Sequence, residues 1–183
     1  MLDVGQDGRQ LRNALGRFAT GITVITTRTP AGKREGLTAN SFSALSLDPP
    51  LVLWSIHRKS QSLPGFLASG WFAINVLAAG QANLSHRFAT PSQDKFDGLL
   101  FDDGLGGSPV LAGVLASFEC RTESTIDGGD HVLSIGRVHR ITSIEGAPFS
   151  MQGAIAPRCH CRPDRRKQIW MSSGAVLAER TST

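Results

Sequence analysis

Four places in this sequence carry side chains whose types and spacing could do chemistry. In Gly36-Leu37-Thr38-Ala39-Asn40-Ser41, the threonine, asparagine and serine set hydroxyl and amide groups along one extended segment. Such groups can meet a phosphate or the polar rim of a ring system, although composition alone reads them as an edge strand facing water. His131 opens a strand directly after Gly128-Gly129-Asp130, and taken alone it is a turn residue hydrogen-bonding its own hairpin through Asp130. Lys59, by itself, reads as a solvated surface lysine. Cys159-His160-Cys161 tempts a metal reading, but one residue between two thiols is a poor zinc pair and there is no second pair. No metal site is expected. Motifs with fixed nucleotide spacing are missing: Gly104-Leu105-Gly106-Gly107 lacks the third glycine and the helix of a dinucleotide fingerprint, and no G-x-x-x-x-G-K-[ST] occurs. Any nucleotide must be held without a Rossmann domain or a P-loop.

The elements that position these residues follow from periodicity. Leu11, Ala14, Leu15 and Phe18 recur at helical spacing and predict a helix over about 7–20, ended by Gly21. GITVITTRT is β-branched at nearly every position and predicts a buried strand. A second strand is expected over 36–45, then a rigid Asp48-Pro49-Pro50 connection, then a strand LVLWSI. Short helices are expected over 63–69 and 81–88, with a strand WFAINVL between them. The glycine- and aspartate-rich stretch 95–109 reads as a long loop. Strands 115–125 and 131–144 are joined by Asp127-Gly128-Gly129-Asp130. Cys120 is expected as a small core residue and His139 as an ordinary strand histidine. Six or so strands with few helices predict an antiparallel barrel.

Composition bounds the alternatives. The chain has 183 residues, 19 Lys+Arg against 15 Asp+Glu, 40% apolar and only 19% charged residues, which excludes disorder for most of it. Three unevenly placed cysteines form no disulfide framework and fit a reducing, cytoplasmic setting. MLDVGQDGRQ shows no signal-peptide pattern, and the longest apolar run, Trp71 to Ala79, is short of the ~20 residues a membrane helix needs. No membrane association is expected. The pI of 9.4 comes largely from Arg158, Arg162, Arg165, Arg166 and Lys167. That concentration leaves no basic face on the rest, so no nucleic-acid partner is expected. The organisation read from this is a domain over 1–156 and a basic C-terminal tail over 157–183.

Four stretches stand in a recognisable order: LRNALGRFATGITVITT, GLTANSFSALSLDPPLVLWSI, FAINVLAAGQANLSHRFA and GGDHVLSIGRV. Together, across Arg9 to Gly146, they closely resemble the flavin reductase family, the small NAD(P)H:flavin oxidoreductases of two-component monooxygenases. The resemblance implies a mainly β fold, a split β-barrel of the FMN-binding type with a few short helices, forming a homodimer with flavin near the subunit interface. It implies FMN or FAD as the flavin and NADH or NADPH as co-substrate. Thr38, Ala39, Asn40 and Ser41 would lie along the flavin. Ser55, Ile56, His57, Lys59 and Ser60 would meet its ribityl chain and phosphate. Asn75, Val76 and Leu77 would be close by, and a turn carrying Ser85, Arg87 and Phe88 would help close the site. His131, in the family's Gly-Asp-His motif, would sit beside nicotinamide and flavin as the catalytic residue. The implied partner is a monooxygenase that takes the reduced flavin. The rival readings are a relative that keeps its flavin and reduces a bound acceptor such as a corrinoid cobalt, and a flavin-binding protein without turnover. One departure stands out: where many members carry Y-x-x-G and an aromatic, this chain has Ser150 to Ile155 and no tyrosine.

Overall fold

β-Branched and small hydroxyl residues dominate the first strands, and the computed structural model, which describes residues 8–151, shows how they are used. Helix α1 (Gly8–Leu15) precedes β1 (Thr20–Gly21), β2 (Thr23–Arg28), β3 (Arg34–Ala39), β4 (Ser43–Leu47) and β5 (Pro50–His57). Then come α2 (Leu63–Ser69), β6 (Trp71–Val76), α3 (Ala82–Ala89), β7 (Phe101–Asp103), a single 3-10 turn (Leu105–Gly107) and β8 (Pro109–Leu111). Two long strands, β9 (Ala116–Gly128) and β10 (His131–Ser143), and the short β11 (Ser150–Met151) complete the described chain.

Seven strands form one antiparallel sheet in the order β3-β2-β6-β9-β10-β5-β4. Its two edges, β3 and β4, are consecutive in sequence and separated only by Asn40-Ser41-Phe42. In a flat sheet those edges would be six spacings of ~4.8 Å apart, about 29 Å. The four virtual bonds from Ala39 to Ser43 reach at most about 15 Å. The sheet is therefore rolled, and Ser41 ties the roll across: its hydroxyl accepts from Ser55 N at 3.0 Å and donates to Ser55 O at 3.2 Å.

The roll encloses one apolar core in which Ile25, Ala39, Trp54, Ile56, Phe72 and Cys120 meet. Trp54 takes Phe66 and Phe72 edge-on at 5.0 and 5.6 Å. A second core, with Ile22, Val24, Leu77, Phe88 and Leu111, lies beneath α3 and the β7–β8 ribbon. The three threonines of β2 are buried at almost no cost because each hydroxyl donates to a carbonyl. Thr23 finds Ala39 O, Thr26 finds Pro109 O, and Thr27 finds Trp71 O.

Several expectations need correcting. The first helix ends at Leu15, five residues short, since Gly16 interrupts it before Gly21 can. The expected strand over 36–45 is two strands, broken where the chain passes between the sheet's edges. The stretch 95–109, expected as a long loop, contains β7 and leads into β8, with which β7 pairs antiparallel. The region 157–183 and Cys159, His160 and Cys161 lie outside the described residues.

Cys120 is fully buried, and burial pushes its thiol up to about 12, with the Glu119 carboxylate adding to the rise. In native protein at pH 8, mass mapping after alkylation should find Cys120 unmodified and find it labelled only under denaturant. Native labelling at Cys120 would contradict the packing described.

Candidate functional site

The sequence around Thr38 builds one wall of a cleft of about 360 Å³, whose other walls are the turn after β5 and the end of α3 with the segment following it. Thr38 Oγ1 donates to Ser85 O at 2.6 Å, tying β3 to α3. Phe88 is buried against Gly36, where an added Cβ would lie 2.7 Å from its Cε1. Only glycine admits that approach. Lys95 fastens the same junction: its ammonium donates to Phe88 O at 2.9 Å and to Gly36 O at 3.2 Å. Burial pushes the Lys95 ammonium below the usual lysine range, partly opposed by the Glu35 carboxylate. Lys33, Arg34, Lys59 and Lys95 line the cleft together with a single carboxylate, Glu35, which pairs with Lys33 at 2.9 Å. The lining favours an anion.

Beside the cleft stands a pair of histidines. The β5–β10 register sets His131 opposite His57, with the rings 5.1 Å apart and nearly perpendicular. Asp130 holds both: its Oδ1 is 2.7 Å from His131 Nδ1, and its Oδ2 is 3.7 Å from His57 Nε2. The hydrogen bond from His131, with the charges of both imidazoles behind it, holds the Asp130 carboxyl below the usual aspartate range. A carboxylate can only accept, so His131 donates through Nδ1 and presents Nε2 on the far side of its ring. His57 Nδ1 accepts the Lys59 backbone N–H at 2.9 Å, which in the neutral ring leaves its proton on Nε2, toward Asp130. Arg58 adds N–H bonds to Asp130 O at 2.9 Å and Gly129 O at 3.0 Å, and an ion pair to Asp127. The turn that delivers Lys59 and Ser60 to the cleft is thus locked to the turn that carries His131. Gly129, at φ +65°, is the residue that lets this second turn be only two residues long.

The remaining expected residues divide by strand face. Ala39 and Ile56 point into the core, while Asn40 is exposed. Ser55, His57 and His131 share the other, half-buried face of β5 and β10 with Leu53, Leu133 and Ile135. Arg87 is half-buried and donates to Asp97 O. The structure does not bring Asn75, Val76 and Leu77 to the cleft lining. Asn75 is fully buried, its Nδ2 donating to Val24 O at 3.0 Å and Thr26 Oγ1 at 3.2 Å, its Oδ1 accepting from Leu111 N at 2.8 Å. That network pins β8 to β2 and β6. Sequence reasoning missed Lys95 and Glu35, and nothing in the local pattern marked them. The link from Asp130 to His57 crosses 73 positions and becomes visible only through the strand register. Among the described residues no group of three or more His, Cys, Asp or Glu is arranged for a metal ion, and no helix is long and apolar enough to cross a membrane.

Comparison with known proteins gives this geometry its context. Residues 15–156 match the flavin reductase like domain family. The FMN reductase (NADH) of Agrobacterium fabrum is 46% identical over 154 residues, covering 84% of this chain and 87% of that protein. The reductase subunit of a flavin-dependent monooxygenase of Rhodococcus jostii is 44% identical over 138 residues, 75% of this chain and 70% of its own. Other relatives are longer, and this chain spans only 50% of a probable flavin reductase of Rhizobium meliloti at 42% identity. Among solved structures, the NADH:FAD oxidoreductase of Streptomyces globisporus, in complex with NAD and FAD fragments, superposes with a TM-score of 0.82. It is 34% identical and covers 90% of this chain and 99% of that one.

Proposed function

The chain belongs to the flavin reductase-like domain family, and from that premise we propose that this protein is an NADH-dependent flavin reductase supplying reduced flavin to a partner monooxygenase. The observation that carries the reading is the lock between the two turns, which sets an anion-binding cleft and an Asp–His pair side by side. The donor set fits a flavin phosphate: Lys59 supplies a charge, Ser60 a hydroxyl, and Lys95 a further ammonium along the cleft. The half-buried face bearing Ser55, Leu53, Leu133 and Ile135 offers the isoalloxazine an apolar bed with polar groups at its edge. Held by Lys59 and Ser60 along this cleft, a bound flavin would supply the redox chemistry, its N5 being the position that would take up hydride from a nicotinamide.

The protein's own part is orientation and proton control. Asp130 fixes the His131 tautomer, and His131 presents Nε2 to orient the nicotinamide or assist a proton transfer. The main domain over 1–156 is read as a split β-barrel working in the cytoplasm as a homodimer, with 157–183 as a basic tail outside the flavin site. A second copy would cover Leu15 at the end of α1, Phe18 just after it and Leu47 on the β4 edge, which are 65%, 78% and 93% exposed. Anaerobic mixing of flavin-loaded protein with NADH should bleach the flavin absorbance in a single turnover. Stable binding without bleaching would leave a flavin carrier instead.

A smaller effect tests the phosphate contact. Lys59→Ala should weaken flavin binding by about 1–3 kcal/mol, the worth of a charge-assisted hydrogen bond. Equilibrium titration by flavin fluorescence reads it, and unchanged affinity would move the phosphate elsewhere.

A further inference from the structure

We infer that His57 is a positioning residue for Lys59 whose hold depends on the charge of its ring, so that this protein loosens its grip on a flavin phosphate as the pH falls. The inference rests on the flavin reading above, in which Lys59 and Ser60 hold that phosphate. His57-Arg58-Lys59-Ser60 is a four-residue turn, closed by the bond from Ser60 N to His57 O at 2.8 Å. Within it, His57 Nδ1 accepts the Lys59 backbone N–H at 2.9 Å. Asparagine and aspartate usually make this bond, from the first residue of a turn to the N–H two positions on. Histidine does the same here with an acceptor that a proton can remove.

A neutral imidazole has one ring nitrogen free to accept, and a charged one has none. Protonation of His57 would set the new ring N–H against the Lys59 N–H, two donors pointed at each other, and the Lys59 peptide would have to turn away. Among the described residues, the charged and titratable groups around the ring are Asp130 from the turn after β9, His131 from β10, and Arg58 and Lys59 from its own turn. Asp127 of β9 is engaged by Arg58. The Asp130 carboxylate, with Oδ2 3.7 Å from His57 Nε2, favours the charged ring and is itself held ionised through the range in which imidazoles titrate. A positive ring would also attract a phosphate. That attraction is the weaker effect, since the charge is matched by Asp130 and, with 43% of the side chain exposed, is screened by solvent. The bonds from Ser60 N to His57 O and from Arg58 N to Asp130 O do not use the ring, so the turn stays closed and the change is confined to Lys59.

The test is fluorescence titration of the full-length protein with FMN, and separately with FAD, at about pH 8 and about pH 5.5, which bracket imidazole titration. His57→Asn is the deciding variant: its amide oxygen can take the Lys59 N–H and does not titrate. At the higher pH it should keep the parent's affinity within about threefold, less than one hydrogen bond's worth. On going to the lower pH, the parent's Kd should rise at least about fivefold more than that of His57→Asn, the worth of one neutral hydrogen bond. The FMN phosphate itself loses charge near pH ~6, a contribution that stays in every variant and that the comparison subtracts. His57→Ala, with no acceptor, should bind weakly at both pH values. The same rise in His57→Asn as in the parent would overturn the inference and leave the reductase reading standing, as would a parent Kd that does not move. Equally weak binding by the Asn and Ala variants at the higher pH would overturn it too and give the ring a direct contact with flavin. Failure of the parent to bind either flavin would overturn both.

Discussion

His131→Ala should keep its flavin and lose ten- to a thousandfold in the rate at which NADH reduces it, the range expected when an orienting or proton-assisting group is removed. The separation of the two effects follows from the geometry. Thr38, Lys59 and Ser60 reach the cleft from β3 and from the turn after β5. That turn is held by backbone bonds from Ser60 N to His57 O and from Arg58 N to Asp130 O, neither of which uses the His131 ring. What the variant removes is the imidazole that Asp130 grips at 2.7 Å. Single-turnover reduction at saturating NADH is the deciding measurement, and the parent rate in the variant would leave His131 as a turn residue.

The pH dependence adds a check. Asp130 has its carboxyl held below the usual ~3.9, so its grip on His131 is fully present above that value and is lost only as pH falls through the depressed one. Any titration of the reductive rate between pH 5 and 8 should therefore persist in Asp130→Asn with a shifted midpoint. A titration that vanished there would assign it to the carboxylate.

Asn75→Ala should cost about 2–4 kcal/mol of stability. The change leaves the Leu111 N–H without its partner in a fully buried site, at about 1–3 kcal/mol, and opens a small void besides. It also releases the donors that reach Val24 O and Thr26 Oγ1. For a domain of this size each kcal/mol moves the melting temperature by ~2–4 °C, so a fall of roughly 5–15 °C is expected in thermal unfolding. Flavin affinity measured well below that transition should change little. Weakened flavin binding with an unmoved melting temperature would return Asn75 to the site.

That contrast shows what the sequence could and could not convey. Strands β2, β5, β6, β9 and β10 were legible because their β-branched runs, burial alternation and turn residues are local facts. The Gly129-Asp130 turn and the helix over Leu63–Ser69 were legible for the same reason. Asn75 and Thr38 are both polar residues on strands, and nothing local says which faces inward. Only the sheet order, which sets β6 between β2 and β9, makes Asn75 an interior clamp and leaves Thr38 on a cleft wall. Lys95 was opaque for a similar reason: its partners are two carbonyls, and backbone carbonyls leave no mark in a sequence.

The three residues Asn40-Ser41-Phe42 look like an ordinary connection, the sort of place where insertions are usually tolerated. Joining opposite edges of one sheet makes them something else: their number fixes the girth of the whole roll, as the hole chosen in a belt fixes a waist. One added residue would let the circumference relax, and the paired bonds between Ser41 and Ser55 would be the first to part. Thr38, two positions before that buckle, would move with them. Across natural variation the length of this short segment should therefore be more constant than its composition.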